Sequence, residues 1–329
     1  MMQRFATQFP AWMRPDNPVL RYTLGDYGKE EKPRRRFLRL LTVPVFIGLL
    51  VLSGYLIANA LSAENPLDKP LSQMLIEVLF WPTFALQVVL QLVVMAMTIN
   101  TIGEEKRRQT WESLKTTSSG AALTLRARWS AVVFYRIGGL LVALIVIRVV
   151  LIGGILVDLT AFRGEYLNYL TGSITPDVPL AGGVILLALM MTASLLLPFT
   201  GVGFDASIGL LVSTLVHQRT YVVLSQITLT AIRILIIGAL LVGVTQYREG
   251  TLTPDATELG IWMLLFGFAV LGDWGLSLLY LGFYGADVWA EVPYGILIGL
   301  AMLVFVMFQA ALTDGILALA IRRAERSEL

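Results

Sequence analysis

The chain has 329 residues, 56% of them hydrophobic and 15% charged, and its mean hydropathy of +0.74 marks an integral membrane protein. With no cysteine and a single histidine, a disulfide framework and a thiolate metal site are excluded, and little is left for zinc or for histidine-based catalysis. The net charge of +2 says less than its placement, because the basic residues concentrate in a few segments.

Residues 1–36 are polar and basic and end in Lys32-Pro33-Arg34-Arg35-Arg36, so this terminus is expected in the cytoplasm. The apolar run 37–61 is long enough to cross a bilayer at about 20 residues per crossing. Ala58-Asn59-Ala60 looks like a signal-peptidase site, but the long leader and long apolar core favour a retained helix. A second span is expected over 71–102 after a loop of low positive charge, which is read as external. Residues 103–128 are then cytoplasmic, and a third span covers 129–156. The loop 157–177 carries Asp158, Glu165 and Asp177 against one Arg163 and faces outward. A fourth span covers 179–216, interrupted by Pro198. His217-Gln218-Arg219-Thr220 forms an inner turn, and a fifth span covers 221–245. Residues 293–321 cross before Arg322, Arg323 and Arg326.

If 261–281 crossed as well, those arginines would lie outside, against the positive-inside pattern. Gly272-Asp273-Trp274-Gly275 instead predicts a re-entrant hairpin of two half-length helices, a break tolerated only where protein or a water-filled cavity covers it. The expectation is an all-α integral membrane protein of six spans, with both termini cytoplasmic, no internal repeat and no soluble domain. A short cytoplasmic helix is also expected, because between residues 103 and 118 Glu104 with Arg108 and Arg108 with Glu112 are i,i+4 pairs, and Trp111 and Leu114 share an edge. On composition alone it fixes topology and touches anionic lipid; its position between spans, with an exposed tryptophan amid mixed charge, also suits a protein partner.

The run Ile102-Gly103-Glu104-Glu105-Lys106-Arg107-Arg108-Gln109-Thr110-Trp111-Glu112-Ser113-Leu114 resembles the segment after the second membrane helix of ABC-2 type transporter permeases. Glu105, Thr110, Glu112 and Leu114 match that pattern, whereas Gln109 stands where glycine is common and Thr117 where proline is common. Asn17-Pro18-Val19-Leu20-Arg21 is similar to the amphipathic N-terminal segment of such permeases, and the six-span layout with a re-entrant element before the last helix is similar too. The resemblance implies an ABC-2 (type V exporter-like) permease fold, with residues 103–118 as a coupling helix docking on a separate ATPase subunit. Glu105, Arg108, Thr110, Trp111, Glu112 and Leu114 would carry that contact. It further implies pairing with a second copy or a homologous permease, in a bacterial cytoplasmic (inner) membrane. Gly25-Asp26-Tyr27-Gly28-Lys29-Glu30 is no phosphate loop: it lacks the first glycine at the required spacing and has Glu after the lysine. ATP and Mg are therefore expected through the partner ATPase, with no cofactor, metal or catalytic residue in this chain and no nucleic acid as partner.

Ionisable residues at membrane depth mark pathways or pair with each other. Asp205 lies 14 residues before Arg219 and Arg233 lies 14 after it, so each sits about 21 Å from the same turn. They are expected to pair and lock the two helices, with a place on the translocation path as the sharper alternative. Arg148 and Glu77 are read as lying near outer span ends, the arginine snorkelling to the interface. Trp81, Trp129, Tyr221, Trp262 and Trp289 are read as interfacial anchors. The leading function is the permease of an ATP-driven transporter, with export as the direction the resemblance implies. The alternative is a non-transporting membrane subunit that anchors or assembles a larger respiratory or photosynthetic complex. A secondary transporter is disfavoured by the absence of a repeat.

Overall fold

The computed structural model describes residues 10–14, 16–25, 48–59, 70–107, 109–110, 120–160, 165–216, 218–252 and 257–326. In chain order the principal helices are α1 (Pro18–Leu24), α2 (Gly48–Asn59), α3 (Leu71–Ile99), α4 (Thr101–Arg107), α5 (Gly120–Ser130), α6 (Gly138–Thr160), α7 (Glu165–Gly172), α8 (Leu180–Leu215), α9 (Arg219–Arg248), α10 (Glu258–Gly267) and α11 (Ile298–Arg326). None of the described residues is in a strand. Five helical stretches are long and apolar enough to cross a membrane: α3 with α4, then α6, α8, α9 and α11. Of the first expected span only α2 is described; the remainder of 37–61 lies outside the described residues, as does His217.

The core forms where α8 packs along α11 and α3, and α3 along α6. Small residues set these crossings, because in lipid the close approach of backbones replaces the hydrophobic drive between helices. A Cβ at Gly299 of α11 would come within 2.6 Å of the Met190 Cβ on α8. A smaller apolar cluster of Ile102, Leu125, Leu210 and Leu317 ties the ends of α4, α5, α8 and α11 together. Helix α9 is peripheral, with Leu235, Ile227 and Val242 exposed.

Two expectations change in detail. The third apolar run is preceded by helix from Gly120 onward: α5 passes through a wide π turn at Ala131–Arg136 into α6. The outward loop 157–177 contains α7, and its Leu170 is buried against the segment before the last helix.

That segment is broken. Helix α10 continues through a π turn, Phe268–Gly272, and stops at Asp273; its 15 helical residues from Glu258 to Gly272 reach about 22 Å, short of the roughly 30 Å hydrocarbon core. Trp274 and Gly275 then adopt φ of +53° and +76°, which reverses the chain. By Tyr280 it is back beside Gln73, the third residue of α3, whose Nε2 donates to the Tyr280 hydroxyl at 3.4 Å. The return arm differs from the half-length helix expected of it, being a series of short turns (Ser277–Leu279, Leu281–Phe283, Tyr284–Val288) with glycines at 282 and 285. It ends against the loop before α8, where the Thr175 amide donates to the Trp289 carbonyl and the Tyr294 amide donates to the Thr175 carbonyl, both at 2.9 Å.

Candidate functional site

At the arginine-rich end of the bundle, Glu105 on α4 is 6% exposed and joins three parts of the chain. Its carboxylate accepts from Arg128 Nη2 on α5 at 2.5 Å, from Tyr22 Oη on α1 at 3.4 Å, and from the Thr110 hydroxyl. Burial pushes this carboxyl up, but the Thr110 hydrogen bond, the Arg128 guanidinium and the Tyr22 hydroxyl outweigh it and hold the group below the usual glutamate range. Helix α1 is set for this contact by its cap. The Asn17 carboxamide oxygen accepts from the Val19 and Leu20 amides at 2.9 and 3.3 Å, Pro18 occupies the first helical position, and Leu20 is fully buried. Arg136 donates to the Thr23 carbonyl at 2.8 Å.

Gln109 has φ +57°, in the left-handed region that glycine favours, and this turn lets the Thr110 amide reach back to the Glu105 carbonyl at 3.2 Å. The residue that stands where the resembling family commonly has glycine thus keeps a glycine-like backbone. Of the residues expected to touch an ATPase, Glu105 is internal and Thr110 half-buried beside it. Arg108, Trp111, Glu112 and Leu114 lie outside the described residues.

A second set of polar groups lies at membrane depth. Thr83, Gln87 and Gln91 follow one another at i, i+4 and i+8 on α3, each at most 1% exposed. The structure brings Asp205 of α8 and Arg233 of α9 together: Arg233 Nη2 donates to Asp205 Oδ2 at 3.2 Å, and Arg233 Nε donates to Gln91 Oε1 at 3.0 Å. Gln91 is a third partner whose spacing from Thr83 and Gln87 was the available sequence signal.

Arg148 requires a correction. It lies midway along α6 and is fully buried, so it does not snorkel to an interface. Its Nη1 donates to the carbonyls of Ser194 and Trp274 at 2.5 and 2.6 Å, and its Nη2 donates to Gln87 Oε1 at 2.8 Å and the Asp273 carbonyl at 3.1 Å. The reason is readable in backbone chemistry. Pro198 has no N–H, which leaves the carbonyl four residues back, that of Ser194, without its helical partner. The break at 273–274 leaves the Trp274 carbonyl without a backbone partner and the Asp273 carbonyl with only one, the Leu276 amide at 3.2 Å. One guanidinium satisfies all three where no water reaches. The Asp273 carboxylate serves the other side of the break, accepting from the Gly275 and Ser277 amides at 3.0 and 2.5 Å.

Toward the opposite end, a cavity of about 150 Å³ opens between α3, α9 and the return arm, with Glu77, Phe80, Trp81, Phe268, Tyr280 and Arg248 on its walls. The Arg248 guanidinium lies over the Phe283 and Tyr280 rings, 4.9 and 5.5 Å from their centroids. The tryptophans read as anchors divide. Trp81 and Tyr221 are exposed, Trp262 is partly buried, Trp129 donates its indole N–H to the Gly203 carbonyl at 2.9 Å, and Trp289 is 1% exposed in the core. Trp289 is held inside because its segment folds back under the loop at Thr175. Among the described residues no group of three or more His, Asp or Glu is placed to hold a metal ion.

Compared with protein-family models the chain has no match, and compared with curated proteins it has none. The chain is a multi-pass, all-helical membrane protein by its length, composition and described helices.

Proposed function

We propose that this chain is the permease subunit of an ATP-driven ABC transporter of the ABC-2 type, coupled to a separate ATPase through the segment 103–118. The observation that carries the reading is the anchorage of that segment. Glu105 and Thr110, two of the residues that match the family pattern, bond to each other, and Glu105 also bonds to α1 and α5. A helix mounted in this way passes a push from a partner into the α3 end and the α5–α6 run together, which is what coupling to a rigid-body exchange of states requires. The left-handed turn at Gln109 supports the same reading, since it supplies the backbone that glycine would supply.

On this reading 258–281 is re-entrant from the outer side, the chain crosses six times with both termini cytoplasmic, and a second permease completes the pathway. Arg148 then serves as the cover that makes the re-entrant break tolerable. Nucleotide and Mg are handled by the partner. The test is purification of the full chain in mild detergent and identification of what accompanies it. An ATPase recovered in equal amount, and lost when Trp111→Ala and Glu112→Ala are combined, supports the proposal. Electron-transfer or pigment subunits recovered without any ATPase overturn it in favour of an anchoring role.

A further inference from the structure

The cavity between α3, α9 and the return arm has a volume of about 150 Å³, well under the roughly 300–1,000 Å³ of drug-sized sites. An apolar space of about that size takes one benzene ring. The walls suit a ring: Phe80 and Trp81 come from α3, Phe268 from the arm that ends at the break, and Phe283 and Tyr284 from the return arm. Most of the polar wall groups are already partnered. Ser277 Oγ and the Tyr284 hydroxyl share a hydrogen bond of 3.3 Å, and the Thr245 hydroxyl donates to the Leu241 carbonyl at 2.8 Å. Gln73 Nε2 donates to Glu77 Oε1 at 3.2 Å and to the Tyr280 hydroxyl at 3.4 Å. The last bond uses a lone pair of the Tyr280 oxygen and leaves its O–H to donate.

Arg248 is the exception. It is the last residue of α9 and exposed, at the end of the bundle away from the arginine-rich terminus. Its guanidinium carbon lies 4.9 Å from the Phe283 ring centre and 5.5 Å from that of Tyr280, so two aromatic rings hold the charge in place. None of its N–H groups donates to a described residue, and no described carboxylate pairs with it. A guanidinium held through ring faces keeps its planar N–H fork for an oxyanion, and the Tyr280 hydroxyl stands on the rim of one of those rings as a second donor. We propose that the cavity binds a single-ring aromatic carboxylate of the benzoate class, with the carboxylate on Arg248 and Tyr280 and the ring among the aromatic walls. The volume excludes a fused second ring, and Glu77 opposes a second negative charge. The proposal rests on this cavity and not on coupling to an ATPase, so the two proposals fail separately.

The experiment is equilibrium dialysis of the purified full chain in mild detergent against radiolabelled benzoate, with protein-free micelles subtracted. The wild type binds benzoate saturably, one per chain. Benzyl alcohol, which has the ring without the charge, competes about tenfold more weakly than unlabelled benzoate, the factor expected of one charge-assisted hydrogen bond. Arg248→Gln weakens benzoate binding by at least about tenfold, Arg248→Lys weakens it less, and Glu77→Gln strengthens it. Arg248 is exposed, so its variants keep the wild-type elution volume. Absence of saturable binding, or an unchanged affinity in Arg248→Gln, overturns the proposal. Competition by 2-naphthoate as strong as that of unlabelled benzoate overturns the one-ring limit, and equally strong competition by octanoate overturns the aromatic assignment. Displacement of benzoate by phosphatidylglycerol at equal concentration overturns it in favour of a lipid anion.

Discussion

Replacing Arg148 by methionine keeps the volume of the α6 side chain and removes every donor it supplies. Three backbone carbonyls, those of Ser194, Asp273 and Trp274, then lose this partner, and Gln87 Oε1 loses its donor. The Asp273 carbonyl keeps the Leu276 amide, so three acceptors are left unsatisfied; each costs about 1–3 kcal/mol, with interhelical hydrogen bonds in membranes near the lower end of that range, so the sum is about 4 kcal/mol. At roughly 2–3 °C per kcal/mol for a chain of this size, the melting midpoint followed by tryptophan fluorescence in detergent falls by about 10 °C. Arg148→Lys recovers only part of the loss, because an ammonium is a point donor and does not reach all four acceptors of the planar fork. Pro198→Ala gives Ser194 back a helical N–H, so in the Arg148→Met background it recovers about 1 kcal/mol. A fall of less than 2 °C in Arg148→Met, or a lysine variant as stable as the wild type, refutes the assignment of Arg148 to the orphaned carbonyls and returns it to a simple charge role.

Arg233→Leu strands the buried Asp205 carboxylate and costs about 3–5 kcal/mol, whereas Asp205→Leu combined with Arg233→Leu returns most of the lost thermal stability; a double variant as unstable as the single one counts against a locking pair. Gly201→Ala drives a Cβ to 2.6 Å from the Trp274 indole and lowers stability by about 1–3 kcal/mol, while Gly238→Ala, with nothing within 4 Å, does not; equal effects would mean that the α8 contact with the break is not tight. Gln109→Gly relieves the left-handed backbone and stabilises by up to about 1 kcal/mol, whereas Gln109→Val destabilises, the order of the three midpoints being the check. The Glu105 carboxyl titrates below its unperturbed 4.5 in the fold, so its contribution is complete above that pH and is lost as pH falls through the lowered value. Glu105→Gln removes that part of the acid dependence, and an unchanged acid profile would show that the three contacts do not favour the charged form.

Much of this molecule is local chemistry and can be read along the chain. Apolar runs of sufficient length give the crossing helices, because every backbone group must be satisfied within the segment when lipid surrounds it. Asn17 followed by Pro18 gives the start of α1, and equal distances from one turn bring Asp205 opposite Arg233. Even the orphaned carbonyl of Ser194 follows from Pro198 alone. What only the tertiary structure decides is which distant group answers a local deficit. Arg148 reaches Gln87, Ser194 and the 273–274 break because α3, α6, α8 and the broken arm converge at one depth, and none of those separations has a sequence period. Trp289 is core because its segment folds back, and Glu105 is an internal link because α1 and α5 close over it. Periodicity fixes the face a side chain occupies on its own helix. The partner on the facing element, and therefore whether a charge is a surface anchor or a buried clamp, is fixed by packing.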